Sequence, residues 1–560
     1  MKKGSIFRVV TAGLAAVATL LPLSACGSAQ KSAEKKDVII SAPTNATTAL
    51  TINYNPFSSL ALTGTNGGLY EGLFFCNSYG AKGLEPLLGT SYKMSQDAKS
   101  IQINLRKNVV WSDGQPFTAD DVVYTFDLLS KNSALNTVGF HGRASKINEN
   151  EVRLDFDQPQ SANGFTFLTT VYIVPKHDWE KKKDPVSDTN EKAVGSGPLT
   201  VEGGNFSSMS YTLKRNKHYW DKGKPKIAGI RYIVYSNTQS QQDALLAGQL
   251  DWANLNIVNA DQVLSGKPAI KQVNLPSSQV SLITCSNAEL GCKGPITDPA
   301  VRKAIYYGID RGQLNKLSFN NSYLKINGSL YPTEQYEKYF DKSVEDSPVP
   351  MKARADKAEQ ILKDAGYSKG SDGLYQKDGQ PLSFEVAVTN GTSDWISAID
   401  VANQQLKKIG IELKTKQVSS NEWGQGLRKG DYDLTIYGLW LPNATEAWNF
   451  YNQWFNGAKT APKGQTAYPG YARYNNETVN KALETINSTT DSAVKKKAYS
   501  QIQKQVFEDM PYIPLLRQGG QVQTWTDKVN GYPTKDNLYA NPQTWANPDL
   551  GIVIKNLNLK

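Results

Sequence analysis

The chain has 560 residues, 39% of them hydrophobic and 20% charged, with a formal net charge of +10. That length exceeds what one simple core holds and predicts two or three lobes with a polar surface. Lys and Arg are dispersed, and the densest run, Lys181-Lys182-Lys183, is flanked by Glu180 and Asp184. The clustered basic stripe of a nucleic-acid-binding protein is therefore excluded.

In chain order, the first feature is an export signal. Residues 1–8 are basic and residues 9–23 form an apolar run. The run is short for a membrane span, which needs about 20 residues, and fits a signal peptide. The sequence Leu23-Ser24-Ala25-Cys26-Gly27 resembles the bacterial lipobox. It predicts residues 1–25 as a lipoprotein signal peptide and Cys26 as the acylated, palmitate-bearing N-terminus. Residues 26–37 are small and polar, a flexible tether. Loss of Lys2, Lys3 and Arg8 with the signal leaves a net charge of +7. The expected location is the cell membrane, lipid-anchored, with the folded chain facing the extracellular side or periplasm.

Strands and helices then interleave. Residues 101–105 alternate like a half-buried strand. Thr118 caps a helix that carries Asp120 and Asp121 in its first turn and Val122, Val123, Phe126 and Leu129 on one face. Thr297-Asp298-Pro299 opens a helix to about Ile309. Residues 354–365 and 399–408 are helical and stop at Gly366 and Gly410, while residues 382–388 and 433–437 read as strands. Residues 479–508 are helical with a break at 488–490, ending before Pro511. This alternation predicts an α/β fold.

Chemistry-bearing residues are sparse. His141, His177 and His218 share no ligand spacing, and no catalytic or phosphate-binding motif occurs. No enzyme activity, metal or cofactor is expected. Export permits a disulfide between Cys285 and Cys292, against which stands a pair of free thiols. The unusual stretch is residues 437–455, YGLWLPNATEAWNFYNQWF, dense in aromatic side chains.

An ordered series of motifs runs the length of the chain. It comprises Tyr54-Asn55-Pro56-Phe57, Tyr70-Glu71-Gly72-Leu73, and Asn104-Leu105-Arg106 followed by Asp113-Gly114-Gln115-Pro116-Phe117-Thr118-Ala119-Asp120-Asp121-Val122. Pro175-Lys176-His177, Gly195-Ser196-Gly197-Pro198, Arg215-Asn216 with Tyr219-Trp220, and Ala247-Gly248-Gln249-Leu250-Asp251 follow. Asp298-Pro299-Ala300-Val301-Arg302, Ile309-Asp310-Arg311, Ala365-Gly366-Tyr367 and Pro511-Tyr512-Ile513-Pro514 complete it. In this order the series resembles the bacterial extracellular solute-binding proteins of family 5, the oligopeptide and dipeptide receptors of ABC importers.

The resemblance implies a two-lobed, periplasmic-binding-protein-like fold with an extra subdomain, pear-shaped and closing at a hinge. It places lobe I at 38–75, 195–285 and 515–560, the subdomain at 76–194, and lobe II at 286–514. It implies a monomer that holds a small oligomeric ligand between the lobes and delivers it to ABC permease subunits. Ligand contacts are expected from Tyr54 and Asn55 on lobe I and from Trp423, Tyr437, Trp440, Asn443, Glu446 and Trp448 on lobe II. Packing in the lobe core is the alternative role for any one of these aromatics.

The family's peptide receptors follow their Asp-Tyr-Asp strand, here Asp431-Tyr432-Asp433, with an aspartate that meets the ligand's ammonium. Here Asn443 stands in that region, and Glu446 is the shifted replacement. Short oligopeptides are the first expectation. Oligosaccharides are the alternative, because tryptophan faces suit sugar C–H faces and Asn and Glu suit hydroxyls. A non-transport surface receptor or adhesin is the remote one.

Overall fold

The computed structural model describes residues 38–43, 50–79, 83–257, 259–333, 336–441 and 444–560. The expected signal peptide, Cys26, the tether and Asn443 lie outside the described residues. No helix among the described residues is long and apolar enough to cross a membrane.

One mixed sheet of eleven strands runs through the molecule. From one edge its order is Glu412–Val418, Ser383–Thr389, Leu434–Leu439, Ile270–Thr284, Tyr512–Trp525, Trp252–Ala253, Val38–Ser41, Gly229–Ile233, Ser210–Arg215 and Leu199–Thr200, with Phe206–Ser207 branching from Ser210–Arg215. Two long central strands, Ile270–Thr284 and Tyr512–Trp525, pair antiparallel from Ile270↔Trp525 to Ile283↔Tyr512. Their ladder slips between Pro276 and Gln279, opposite Arg517 and Gly519, where a proline nitrogen has no hydrogen to donate. On either side of that slip lie separate cores. One contains Leu275 and Val522; the other contains Val280 and Leu516. The two cores therefore separate inside these strands, between Leu275 and Val280 and between Leu516 and Val522. The apolar alternation Val280, Leu282 continues to the strand's end and packs into lobe II.

The subdomain is a four-stranded antiparallel sheet, Gly89–Met94, Ser100–Leu105, Glu151–Phe156 and Gly142–Asn148, with the helix Ala119–Lys131 beside it. Thr118 Oγ1 accepts from the Asp120 N–H at 3.3 Å, and the Asp121 carboxylate accepts from the Thr118 N–H at 2.8 Å. This reciprocal cap starts the helix as expected. The subdomain shares one continuous core with lobe I.

The recurring motifs meet in space and hold lobe I together. The Glu71 carboxylate accepts from the Tyr219 hydroxyl and the Trp220 indole N–H, each at 2.7 Å. Burial pushes this carboxyl up to about 7. Asn216 donates to the Gly197 carbonyl at 2.9 Å. Gly197 itself passes so near the chain that a Cβ would lie 2.2 Å from the Gly68 carbonyl oxygen. In lobe II the buried Arg311 guanidinium donates to the Pro514 carbonyl at 2.7 and 3.0 Å, pinning the second crossing strand.

Lobe II is built around the parallel strands Ser383–Thr389, Glu412–Val418 and Leu434–Leu439. Its helices include Pro299–Gly308, Ser393–Leu406, Glu477–Ser488 and Ser492–Asp509. Asp298 caps the first of these by accepting from the Ala300 N–H at 2.8 Å. Cys285 and Cys292 are joined as a disulfide, and Cys76 is a buried free thiol.

Candidate functional site

Ligand sites of open α/β sheets lie beyond the carboxyl ends of the strands. Here the ends at Thr389 and Leu439 lead into loops that face lobe I, and among the described residues three cavities lie between the lobes. The largest, about 900 Å³, flanks the crossing strands. It is lined by amides and hydroxyls such as Asn256, Gln272 and Asn274 from lobe I and Asn320, Tyr323 and Thr392 from lobe II. A second cavity, about 290 Å³, lies between Trp440 and Leu441 on one side and Tyr79, Asn541, Gln543 and Trp545 on the other. A third, about 270 Å³, lies between Tyr92 and Phe165 of the subdomain and Tyr331, Tyr336 and Tyr339 of lobe II.

The aromatic stretch divides into a core part and one cleft residue. In the helix Trp448–Phe455, the buried residues Trp448, Phe450, Tyr451, Trp454 and Phe455 face the lobe II core. Their polar tips are paired, as buried aromatics require. Trp448 donates to the Leu483 carbonyl at 2.8 Å and Tyr451 to the Ser329 carbonyl at 3.0 Å. Trp454 donates to the Trp440 carbonyl at 3.1 Å, and its ring meets that of Trp440 edge-on at 5.9 Å. Trp440 is thereby held in place with 39% of its surface open, opposite Trp545, which is 44% open.

Several expected ligand contacts belong elsewhere. Tyr54 is buried beside Tyr211, and burial raises its hydroxyl to about 12. Asn55 is fully buried and donates to the carbonyls of Pro185 and Asp188, both at 2.9 Å, so it staples a lobe I loop. Trp448 is core, for the reason just given. Trp423 donates to Thr435 Oγ1 at 2.9 Å and borders a separate groove of about 370 Å³ wholly within lobe II. Tyr437 is half-buried among Trp423, Trp454 and Tyr471.

Glu446 borders the third cavity, but its charge is directed inward. Its Oε1 lies 2.6 Å from Lys495 Nζ and its Oε2 accepts from the Tyr499 hydroxyl at 2.9 Å. A carboxylate held by a buried ammonium does not also serve as the missing partner for a ligand ammonium. Of the predicted residues, Trp440 lines a cavity between the lobes with its side chain partly open.

Sequence reasoning missed Trp545, Tyr79 and the tyrosines of the third cavity. Trp545 carried a readable signal: a tryptophan in the aperiodic, proline-rich segment Asn541-Pro542-Gln543-Thr544-Trp545-Ala546-Asn547-Pro548 has no helical or strand face to pack on. The tyrosines gave none, since their neighbours are brought together only by the fold.

Away from the crossing strands the lobes touch. Asn487 Oδ1 accepts from the backbone N–H groups of Ala162 and Asn163 at 3.1 Å, and its Nδ2 donates to the Pro159 carbonyl at 3.1 Å. Asn449 donates to Thr166 Oγ1 at 2.9 Å, and the Cys76 thiol donates to the Ala444 carbonyl at 3.4 Å. The three cavities therefore lie between lobes that meet both at the crossing strands and at the opposite lip.

Known proteins share this architecture. The chain is 25% identical over 433 residues to the uncharacterized protein y4wM of Sinorhizobium fredii, an alignment covering 69% of this chain and 64% of that protein. It is 25% identical over 543 residues to the oligopeptide-binding protein OppA of Bacillus subtilis, covering 88% and 91% of the two chains. A periplasmic oligopeptide-binding protein of a Thermotoga maritima ABC transporter superposes with a TM-score of 0.83 at 25% identity, covering 94% of this chain and 100% of that one. The mannohexaose-bound structure of that protein superposes with a TM-score of 0.76, covering 94% and 99%. Residues 83–462 match the model of the bacterial extracellular solute-binding proteins, family 5, and the chain belongs to that family.

Proposed function

We propose that this chain is the ligand-capturing component of an ABC importer, tethered outside the cell, which encloses a short neutral oligosaccharide and presents it to permease subunits. The observation that carries the ligand class is the loop after Leu439. Its one described carboxylate, Glu446, is neutralised by Lys495, and its exposed side chain is Trp440, facing the same cavity as Trp545. Two tryptophan faces from opposite lobes suit the apolar C–H faces of a sugar ring. The amides of the adjoining walls suit hydroxyls, and the one carboxyl lining this cavity among the described residues, Asp549, is raised to about 7 by burial and accepts from the Asn541 N–H.

A second reading, short oligopeptides, draws on the relatives' names and on Asp394. That carboxylate borders the largest cavity and makes no ion pair with Lys or Arg among the described residues. An ammonium group arriving with a peptide would supply its partner.

A thermal-shift screen of residues 38–560 against mixed oligosaccharides and mixed short peptides separates the two. Ligand at about 100 times Kd stabilises by about 2.7 kcal/mol. A shift with oligosaccharides alone is expected; a shift with peptides alone overturns the sugar assignment.

A further inference from the structure

The third cavity lies beside the tryptophan site. Ser78 and Leu441 line the tryptophan cavity, and their close chain neighbours Asn77 and Ala444 line the tyrosine-walled one. Leu441 and Ala444 are separated by at most about 10 Å of extended chain. A ligand of a few units passing Asn77 and Ser78 would reach both chambers.

The walls are prepared for an uncharged, partly apolar group. Tyr92, 36% exposed, is braced edge-on by Phe74 at 5.2 Å and Phe165 at 5.4 Å. Across the chamber Tyr339 is stacked on Tyr499 at 4.9 Å. One polar atom on this wall is idle. Thr445 Oγ1 is buried without a hydrogen-bond partner among the described residues, whereas the Tyr331 hydroxyl lies against the Tyr339 backbone. Buried polar atoms are ordinarily paired, so Thr445 Oγ1 is open to a partner that comes with the ligand. Of the charges lining the chamber, Glu446 is taken up by Lys495, Lys338 lies over the Tyr339 ring at 4.8 Å, and Glu337 is exposed to solvent.

We propose that this chamber is a distal subsite, which holds the far unit of an oligosaccharide whose near unit lies against Trp440 and Trp545. The assignment rests on the oligosaccharide reading above. It makes Tyr92, Phe165 and Thr445 determinants of ligand length.

The test is calorimetric titration of the folded chain with gluco- and manno-oligosaccharides, from disaccharide to hexasaccharide. Wild-type affinity rises with length beyond the disaccharide. Tyr92→Ala, at a partly exposed position, lowers affinity for the longer oligomers about tenfold and leaves the disaccharide unchanged. Thr445→Val removes the hydroxyl at nearly constant volume and acts on the longer oligomers alone. Equal losses at every length, or none at any length, overturn the distal subsite and leave the tryptophan site standing. Failure of the wild type to bind any oligosaccharide overturns both.

Discussion

Glu446→Gln separates two roles for that carboxylate. In the folded chain Glu446 and Lys495 are 2.6 Å apart, with side chains 13% and 5% exposed, and the second oxygen accepts from Tyr499. Glutamine keeps the shape and an acceptor for Tyr499 but leaves the Lys495 ammonium buried without a counter-charge. Removing one member of a buried pair costs about 3–5 kcal/mol; the residual solvent contact here points to the lower end, about 3 kcal/mol. For a folding unit of about 150–250 residues, each kcal/mol moves the midpoint by about 2–4 °C. The ligand-free melting midpoint, followed by circular dichroism, should therefore fall by roughly 6–12 °C. Lys495→Met should cost a similar amount. The double variant Glu446→Gln/Lys495→Met should recover most of the loss, because no unpaired charge remains. Ligand affinity, measured well below these midpoints, should be unchanged in Glu446→Gln. An unchanged midpoint together with lost affinity for a peptide would refute the reasoning and return Glu446 to the ligand.

Four further outcomes follow from the same geometry. Trp440→Ala should weaken ligand binding in calorimetry while the chain still folds, with a lower melting midpoint from the lost contact with Trp454; unchanged affinity would remove it from the site. Asn487→Ala deletes the bonds to Pro159, Ala162 and Asn163. Small-angle scattering of the ligand-free protein should then show a larger radius of gyration, and apparent affinity should fall with the closed population. Replacing both Cys285 and Cys292 by Ser opens a loop of sequence separation 7; chemical denaturation should show a loss of about 2.4 kcal/mol on the chain-entropy estimate. Glu71 has its folded value raised to about 7 from an ordinary 4.5. Its unfolded form thus loses the proton first, so it contributes stability at low pH that is lost as pH rises from 4.5 towards 7. Glu71→Gln should flatten that part of the stability–pH curve. A residual slope of the same sign is expected from Asp549, also raised to about 7 by burial.

Much of the frame was legible in the residues. Caps at Thr118 and Asp298, stops at Gly366 and Gly410, and the break before Ser492 are local signals, and each marks an element end in the fold. The two crossing strands were not legible. Residues 274–281, NLPSSQVS, and 517–524, RQGGQVQT, are polar and interrupted by Pro or Gly. Neither segment has enough alternation to declare a strand; each is one because the other pairs with it. The site was harder still. Trp440 and Trp448 have the same side chain and lie in the same stretch, yet one closes a cavity and the other packs against Leu483. What separates them is the course of the chain between Leu439 and the helix at Trp448, which no periodicity encodes. The pairing of Glu446 is illegible for a similar reason: its partner, Lys495, lies on a distant helix.

The ladder slip at Pro276–Gln279 sets how the two halves can move. Two hydrogen-bonded strands make a ribbon that twists readily about its length but resists stretching and sideways shear. Such a joint is expected to confine relative motion of the lobes close to a single rotational coordinate, so that Trp440 and Trp545 would face one another again when the rotation reverses. Alignment of the two walls of the cleft becomes a property of the joint and does not have to be found anew with each ligand. Substitutions at Pro276, Gly519 or Gly520 are accordingly expected to alter how fast and how far the molecule opens, while the set of compounds it accepts stays the same.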